Sequence, residues 1–221
     1  MTDRILVVGA TGLVGGLLVR KLIADGRDKE LHLLVRKPLK DSFGAATLHA
    51  APTAQWPEII ATVKPGRAVS CLGSTMNKAG SKEAFAAIDR DLVAAVGKAA
   101  KAAGARQFIT VSSTMANANA SGFYLKTKGQ AEQLLRAEGF ERLDIIRPGL
   151  LRGKRAGEAR LGESLAIAAS PVTDRLLHGS LRRFRSIDAA AVAGAIAALL
   201  TEDTPGTTVH ENDAIWELAK R

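Results

Sequence analysis

Ile5-Leu6-Val7-Val8-Gly9-Ala10-Thr11-Gly12-Leu13-Val14-Gly15 is the stretch whose reading decides the fold. A short, continuously apolar run from Arg4 to Val8 gives way to a loop punctuated by glycines. Apolar residues then recur at helical spacing from Leu13 to Ala24, up to Asp25-Gly26. The first part reads as a strand buried on both faces and the last as a helix, so the stretch is one strand-loop-helix unit. A helix N-terminus carries unpaired N–H groups and the positive end of its dipole, and a phosphate placed there is stabilised without a charged side chain. Gly9 is expected to turn the chain out of the strand, Gly12 to leave room for a pyrophosphate and Gly15 to let the helix pack on the strand. Thr11, Leu13 and Val14 complete the expected cradle. The spacing is G-x-x-G-x-x-G rather than G-x-G-x-x-G, and its position between strand and helix is what lends it meaning.

Outward from this unit, apolar runs and amphipathic stretches keep alternating, the pattern of βαβ units and a parallel sheet. Strands are expected at Glu30 to Val35, Ala46 to His49, Arg67 to Leu72, Arg106 to Val111 and Leu143 to Arg147, the last cut off by Pro148-Gly149. Helices are expected at Glu58 to Val63, Lys82 to Ala103, Tyr124 to Ala137 and Asp188 to Leu200, with Gly104 and Gly139 as left-handed stops. The fold class is therefore α/β, a Rossmann-type doubly wound parallel sheet of order 3-2-1-4-5-6, open to a seventh strand, with helices on both faces. From Leu150 the period breaks down into a basic stretch with Arg152, Lys154, Arg155 and Arg160. Residues 1–221 are expected to form a single dinucleotide-binding domain, with a substrate-pocket segment at about 150–188.

At 221 residues the chain is long enough for one well-buried core. Its 47% hydrophobic and 24% charged residues are those of a folded globular protein. The most apolar stretch, Ala189 to Leu200, is too short to span a membrane and reads as a buried helix. Nothing at the N-terminus resembles a secretory signal, so a cytoplasmic location is expected. The lone Cys71 excludes an internal disulfide framework, and His32, His49, His178 and His210 lack metal-ligand spacing, so no structural metal is expected. A formal charge of +9 fits attraction to an anionic ligand, surface or nucleic acid and does not choose among them.

The second strand ends in Val35-Arg36-Lys37, where an NAD-specific site would place an acid on the ribose. An acid would repel a 2′-phosphate, whereas Arg36, with Lys37 beside it, can pair with one; NADPH rather than NAD is expected. Tyr124 and Lys128 form Y-x-x-x-K on one helix face. An ammonium beside a phenol favours its ionised form, so a tyrosine so placed can exchange a proton with a carbonyl or alcohol. Val111-Ser112-Ser113-Thr114 ends the preceding strand and supplies hydroxyls for the same oxygen.

With the glycine loop, the strand-end serines and Y-x-x-x-K in this order, the chain resembles the short-chain dehydrogenase/reductase superfamily, in its atypical or extended branch, over nearly its whole length. Cys71-Leu72-Gly73-Ser74-Thr75, Lys78-Ala79-Gly80-Ser81, Asp89-Arg90-Asp91, Arg147-Pro148-Gly149 and Glu211-Asn212-Asp213-Ala214-Ile215 are similar to the Tat-interacting-protein oxidoreductase group. The resemblance implies Tyr124 as catalytic acid/base and Lys128 as both its modulator and a ligand of the nicotinamide ribose. It implies a hydroxyl from Ser113 or Thr114 to orient the substrate, with Ser113 preferred. It also implies cofactor contacts from the loop through Cys71, Leu72 and Gly73, and passage of Pro148 near the nicotinamide. The expected activity is NADPH-dependent reduction or oxidation of a small carbonyl or alcohol by a monomer or homodimer. Epimerase or dehydratase chemistry is compatible with the same residues. The alternative is a catalytically weak NADPH sensor acting through a protein partner.

Leu181-Arg182-Arg183-Phe184-Arg185 is a basic run with one aromatic, read as a solvated loop bordering the substrate pocket; nucleic acid is not expected as a partner. Cys71 reads as a small buried hydrophobe, and Trp56, Trp216 and the phenylalanines as packing residues.

Overall fold

The computed structural model describes residues 4–39, 43–153 and 177–221 of the chain. Its strands, in chain order, are β1 (Ile5–Val8), β2 (Leu31–Val35), β3 (Thr47–Ala50), β4 (Arg67–Ser70), β5 (Gln107–Val111), β6 (Arg142–Ile146), β7 (Leu151–Arg152), β8 (Ile187–Asp188) and β9 (Gly206–His210). Seven form one sheet of order β3-β2-β1-β4-β5-β6-β9, parallel throughout, and β7 pairs with β8 apart from it. The expected order is present, and the seventh strand is β9, which extends the sheet beyond β6. The chain runs outward from β1 to β3 and returns to β4 on the other side of β1, so its direction reverses between β1 and β4. Ligands of open α/β sheets bind at such a reversal, beyond the carboxyl ends of the strands.

Successive strand residues point to opposite faces, and the core divides accordingly. Ile5, Val7, Leu31, Leu33, Val69, Ile109 and Ile146 pack on one face with helix α1 (Leu13–Ala24). Leu6, Val8, Leu34, Ala68, Phe108, Leu143 and Ile145 pack on the other with helix α2 (Trp56–Val63). The expected Lys82 to Ala103 helix is interrupted. After the short α3 (Met76–Ala79) come α4 (Lys82–Ala86), a π-helical turn over Ala87–Leu92, and α5 (Val93–Ala102). The wider turn carries Asp89, which is fully buried. An extra residue within a turn leaves the apolar periodicity on either side nearly intact, so the sequence pattern does not register it.

Helix α6 (Phe123–Ala137) follows β5 and packs against α5. Helix α7 (Ala189–Leu199) starts on Asp188, whose Oδ1 accepts the Ala190 N–H at 3.0 Å, and lies buried between α1 and α8 (Asn212–Ala219). Among the described residues no helix is long and apolar enough to cross a membrane. The inner part of the expected substrate-pocket segment, residues 154–176 with Lys154, Arg155 and Arg160, lies outside the described residues.

Candidate functional site

The carboxyl edge of the sheet brings the sequence-expected residues together strand by strand. Gly9 leaves β1 with φ +80°, and a Cβ on it would stand 2.6 Å from the Cys71 carbonyl carbon, so β1 and β4 can run together only over a glycine. A Cβ on Gly15 would stand 2.2 Å from the Gly9 oxygen, which makes this glycine the contact between α1 and the loop. Gly12 differs: its φ is −79°, and its Cβ would meet only the Gly9 oxygen at 3.2 Å, with the Cys71 oxygen at 4.0 Å. The turn closes through Gly12 N–H to the Gly9 oxygen at 3.0 Å. Helix α1 has no side-chain cap and no acid in its own first turn, so its first N–H groups and dipole have no anion from the helix itself to compete with a bound phosphate. This cradle fits a pyrophosphate. Thr11 is exposed above it, Leu13 half-buried and Val14 buried.

Val8 is in register with Leu34, so Arg36 and Lys37 emerge beside the glycine loop. Both are exposed and neither forms an ion pair with a described residue. On the other flank, the Cys71 N–H bonds the Val8 oxygen at 2.9 Å, and burial pushes the Cys71 thiol up to about 12, which removes it as a nucleophile. The next residues, Leu72 and Gly73, carry the chain over Lys128. A Cβ on Gly73 would lie 3.5 Å from Lys128 Nζ and 3.6 Å from Asp89 Oδ1.

Lys128 is itself buried and its Nζ sits 2.7 Å from Asp89 Oδ1. The other Asp89 oxygen accepts the Ser74 N–H at 2.8 Å. One carboxylate on the π turn thereby ties the β4 loop to the lysine of α6. A buried ammonium requires an anion or several acceptors. That requirement was readable from Lys128, but Asp89 as its partner was not, because the two lie far apart in the chain.

Tyr124 is 37% exposed at the start of α6, its ring 5.5 Å from that of Phe85. Ser112 is buried, and its hydroxyl donates to Glu132 Oε1 at 2.5 Å while Arg147 grips Glu132 with Nε at 2.9 Å and Nη2 at 2.5 Å. Ser112 is thus occupied, and Ser113 and Thr114 are the hydroxyls left near the strand end. Ser113 is half-buried; Thr114 Oγ1 is buried without a hydrogen-bond partner among the described residues. The Thr114 N–H donates to the Pro148 oxygen at 3.1 Å, which joins this loop to the Pro148-Gly149 turn. Asn212, unassigned by spacing, holds the turn from behind: Oδ1 accepts the Gly149 N–H at 2.8 Å and Nδ2 donates to the Arg185 oxygen at 2.5 Å.

Trp216 corrects an expectation. It is 39% exposed, because α8 turns Asn212, Ile215 and Leu218 inward and Trp216 falls beside that stripe, whereas Trp56 is 2% exposed and packs as expected.

The NAD(P)H-binding family model matches residues 9–203. The chain belongs to that family. It is also 34% identical over 226 residues to "Protein FMP52, mitochondrial" of Eremothecium gossypii, covering 98% of this chain and 97% of the relative. Against the protein of the same name from Debaryomyces hansenii it is 38% identical over 151 residues, 67% of each. Among solved structures, Bordetella bronchiseptica WbmH with NAD+ aligns with a TM-score of 0.70 at 14% identity, over 98% of this chain and 79% of that one. Thermus thermophilus UDP-glucose 4-epimerase with NAD aligns at 0.69 and 15% identity, over 98% and 81%. Such likenesses show the fold, and the family model makes it that of an NAD(P)H-binding chain. The relatives' names correct the cytoplasmic expectation, since they are designated mitochondrial. Lack of an apolar secretory signal bears on export alone; a mitochondrial address is amphipathic and arginine-rich.

Proposed function

We propose that this NAD(P)H-binding chain is an NADPH-dependent oxidoreductase acting on a small carbonyl or alcohol, with residues 1–221 working as one unit. The observation that carries the reading is the buried Lys128 ammonium beneath Gly73, at the same sheet edge as the open N-terminus of α1. Gly9, Thr11, Gly12, Leu13, Val14 and Gly15 would cradle the pyrophosphate, Arg36 and Lys37 would pair with a 2′-phosphate, and Cys71, Leu72, Gly73 and Pro148 would line the nicotinamide half. The bound cofactor supplies hydride chemistry at nicotinamide C4. Tyr124 then gives or takes the proton on the substrate oxygen, and Lys128 holds the ribose and steadies the phenol's negative form. Ser113 orients the same oxygen; the unpartnered Thr114 hydroxyl is its competitor for that role.

The test combines turnover and binding. Tyr124→Phe should lower carbonyl reduction, followed by NADPH absorbance across a carbonyl panel, by at least about a hundredfold while NADPH affinity stays near that of the wild type. Full activity in this variant would remove Tyr124 from the chemistry. Wild-type protein should also prefer NADPH to NADH, and Arg36→Gln should erase that preference. The Asp89 carboxylate favours a second reading, a cofactor sensor, because it offsets the charge Lys128 offers to Tyr124. Tight NADPH binding with no turnover on any carbonyl is the result expected of a sensor.

A further inference from the structure

At the carboxyl ends of β6 and β9 lies an open cleft of about 610 Å³, bounded by Arg152 of β7, the turn containing Arg185, and α8. Four basic side chains and two acidic ones line it, but they are not equivalent. Lys220 Nζ is 2.7 Å from Glu217, and Arg182 Nε is 3.5 Å from Asp213, so these cations already have carboxylates. Arg183 stacks over Phe184 at 5.2 Å and is not part of the lining. Arg152 and Arg185 remain, both half-buried and without a carboxylate partner among the described residues. Arg185 uses Nε on the Leu177 oxygen at 2.8 Å, and its other guanidinium donors have no partner among the described residues, so they can grip a ligand. Both line the same cleft: in the β7–β8 pair Leu151 is in register with Ile187 and Arg152 with Asp188, whose Oδ1 caps α7, and Arg185 lies three residues before Asp188.

Trp216 forms part of the same wall. Guanidinium groups with no carboxylate partner among the described residues, facing a cavity beside an exposed indole, make a site for a charged head and a flat or apolar body. The cleft and the candidate chemistry share the Pro148-Gly149 turn. Asn212 lines it and holds Gly149, and the other side of the same turn accepts the Thr114 N–H through the Pro148 oxygen.

We infer that this cleft receives the anionic end of the substrate, a small organic molecule whose carboxylate or phosphate is gripped by Arg152 and Arg185 and whose body rests on Trp216. The inference rests on the oxidoreductase reading and gives it a substrate class. Asp213 and Glu217 at the margin select against a polyanion such as nucleic acid and leave space for one small oxyanion.

The test uses the full chain and the emission of its two tryptophans, of which Trp216 alone is substantially exposed. Inorganic phosphate and malonate are titrated separately at constant ionic strength maintained with chloride, and binding is followed in parallel by calorimetry. A saturable response to phosphate alone assigns a phosphorylated substrate, to malonate alone a carboxylate, and to both a site for either. Arg152→Gln, which breaks no ion pair with a described residue, should weaken the response at least about tenfold, and Trp216→Phe should abolish the emission change while calorimetric binding persists. No saturable binding of either anion, or unchanged binding in Arg152→Gln and Arg185→Gln, overturns the inference. NADPH affinity is measured on the same preparation. Cofactor binding without anion binding defeats the cleft assignment alone, whereas anion binding without cofactor binding defeats the oxidoreductase reading and with it the substrate role.

Discussion

Gly12 and Gly15 belong to one motif, yet substituting them should damage different properties. At Gly15 an added methyl would stand 2.2 Å from a backbone oxygen that cannot move without opening the β1 turn. Gly15→Ala should cost about 1–3 kcal/mol of stability by overpacking, read from chemical denaturation. At Gly12 the backbone suits any residue and the methyl would enter the space proposed for the pyrophosphate. Gly12→Ala should stay within about 1 kcal/mol of wild-type stability but lose at least about tenfold in NADPH affinity. Equal loss of stability in both variants would show that Gly12 serves packing. The spacing marked all three glycines, but only the surroundings of each separate a steric role from a ligand-facing one.

At the scale of elements, β3 is one of the two edge strands, half-buried to exposed along its length, and a histidine pair links it to β2. His32 Nδ1 and His49 Nε2 are 3.1 Å apart, with the rings stacked at 5.4 Å. Burial holds both imidazoles below the ordinary histidine value, and at His32 repulsion from His49 and Arg4 adds to it. One ring must donate and the other accept, so the pair fits the neutral form. Since the folded-state values are depressed, this contribution is full above the unfolded value of about 6.5 and is lost as pH falls through the lowered folded values. Thermal unfolding should therefore occur at lower temperature at pH 5 than at pH 7, and His49→Leu should flatten that dependence. An unaltered pH profile in the variant would rule out the pair as its source. The same scale explains the π turn: apolar periodicity marked a long helix, while the extra residue that buries Asp89 answers to Lys128, a partner outside the element.

Across the whole molecule, Asp144 fastens the last strand to the sheet. It is fully buried on β6, accepts from Arg142 Nε at 2.7 Å, from Arg142 Nη2 at 3.1 Å and from Gln107 Nε2 at 3.0 Å, and lies 2.9 Å from His210 Nε2 of β9. Burial alone would raise its carboxyl, but the hydrogen bonds from His210, Arg142 and Gln107 outweigh it and hold the group below the ordinary carboxylate value. Its contribution is present above about pH 4 and lost as pH falls through the depressed folded value, below the histidine window. Asp144→Asn leaves Arg142 with only the more distant Glu202 carboxylate, at 3.6 Å, and should cost about 3–5 kcal/mol, a fall in Tm on the order of 10 °C by calorimetry. Because β9 leads into Asn212 and α8, this loss should also loosen the cleft wall.

What the sequence determined by itself is the strand-loop-helix alternation, the order of the inner strands and the glycine loop between β1 and α1, because period, turn residues and helix termini are local properties. Tyr124, Lys128 and Arg36 could be nominated for the same reason, each being read against a neighbouring strand or helix end. The tertiary structure alone decided which distant group answers each local demand: Asp89 for the buried Lys128, Glu132 for Ser112, Asp144 for β9, and Asn212 for the Gly149 turn. It also divided the basic run, giving Arg182 a carboxylate and Arg183 a ring while setting Arg185 with Arg152 on the wall of one cleft. Burial and charge pairing depend on what lies opposite in space, which spacing along the chain does not encode.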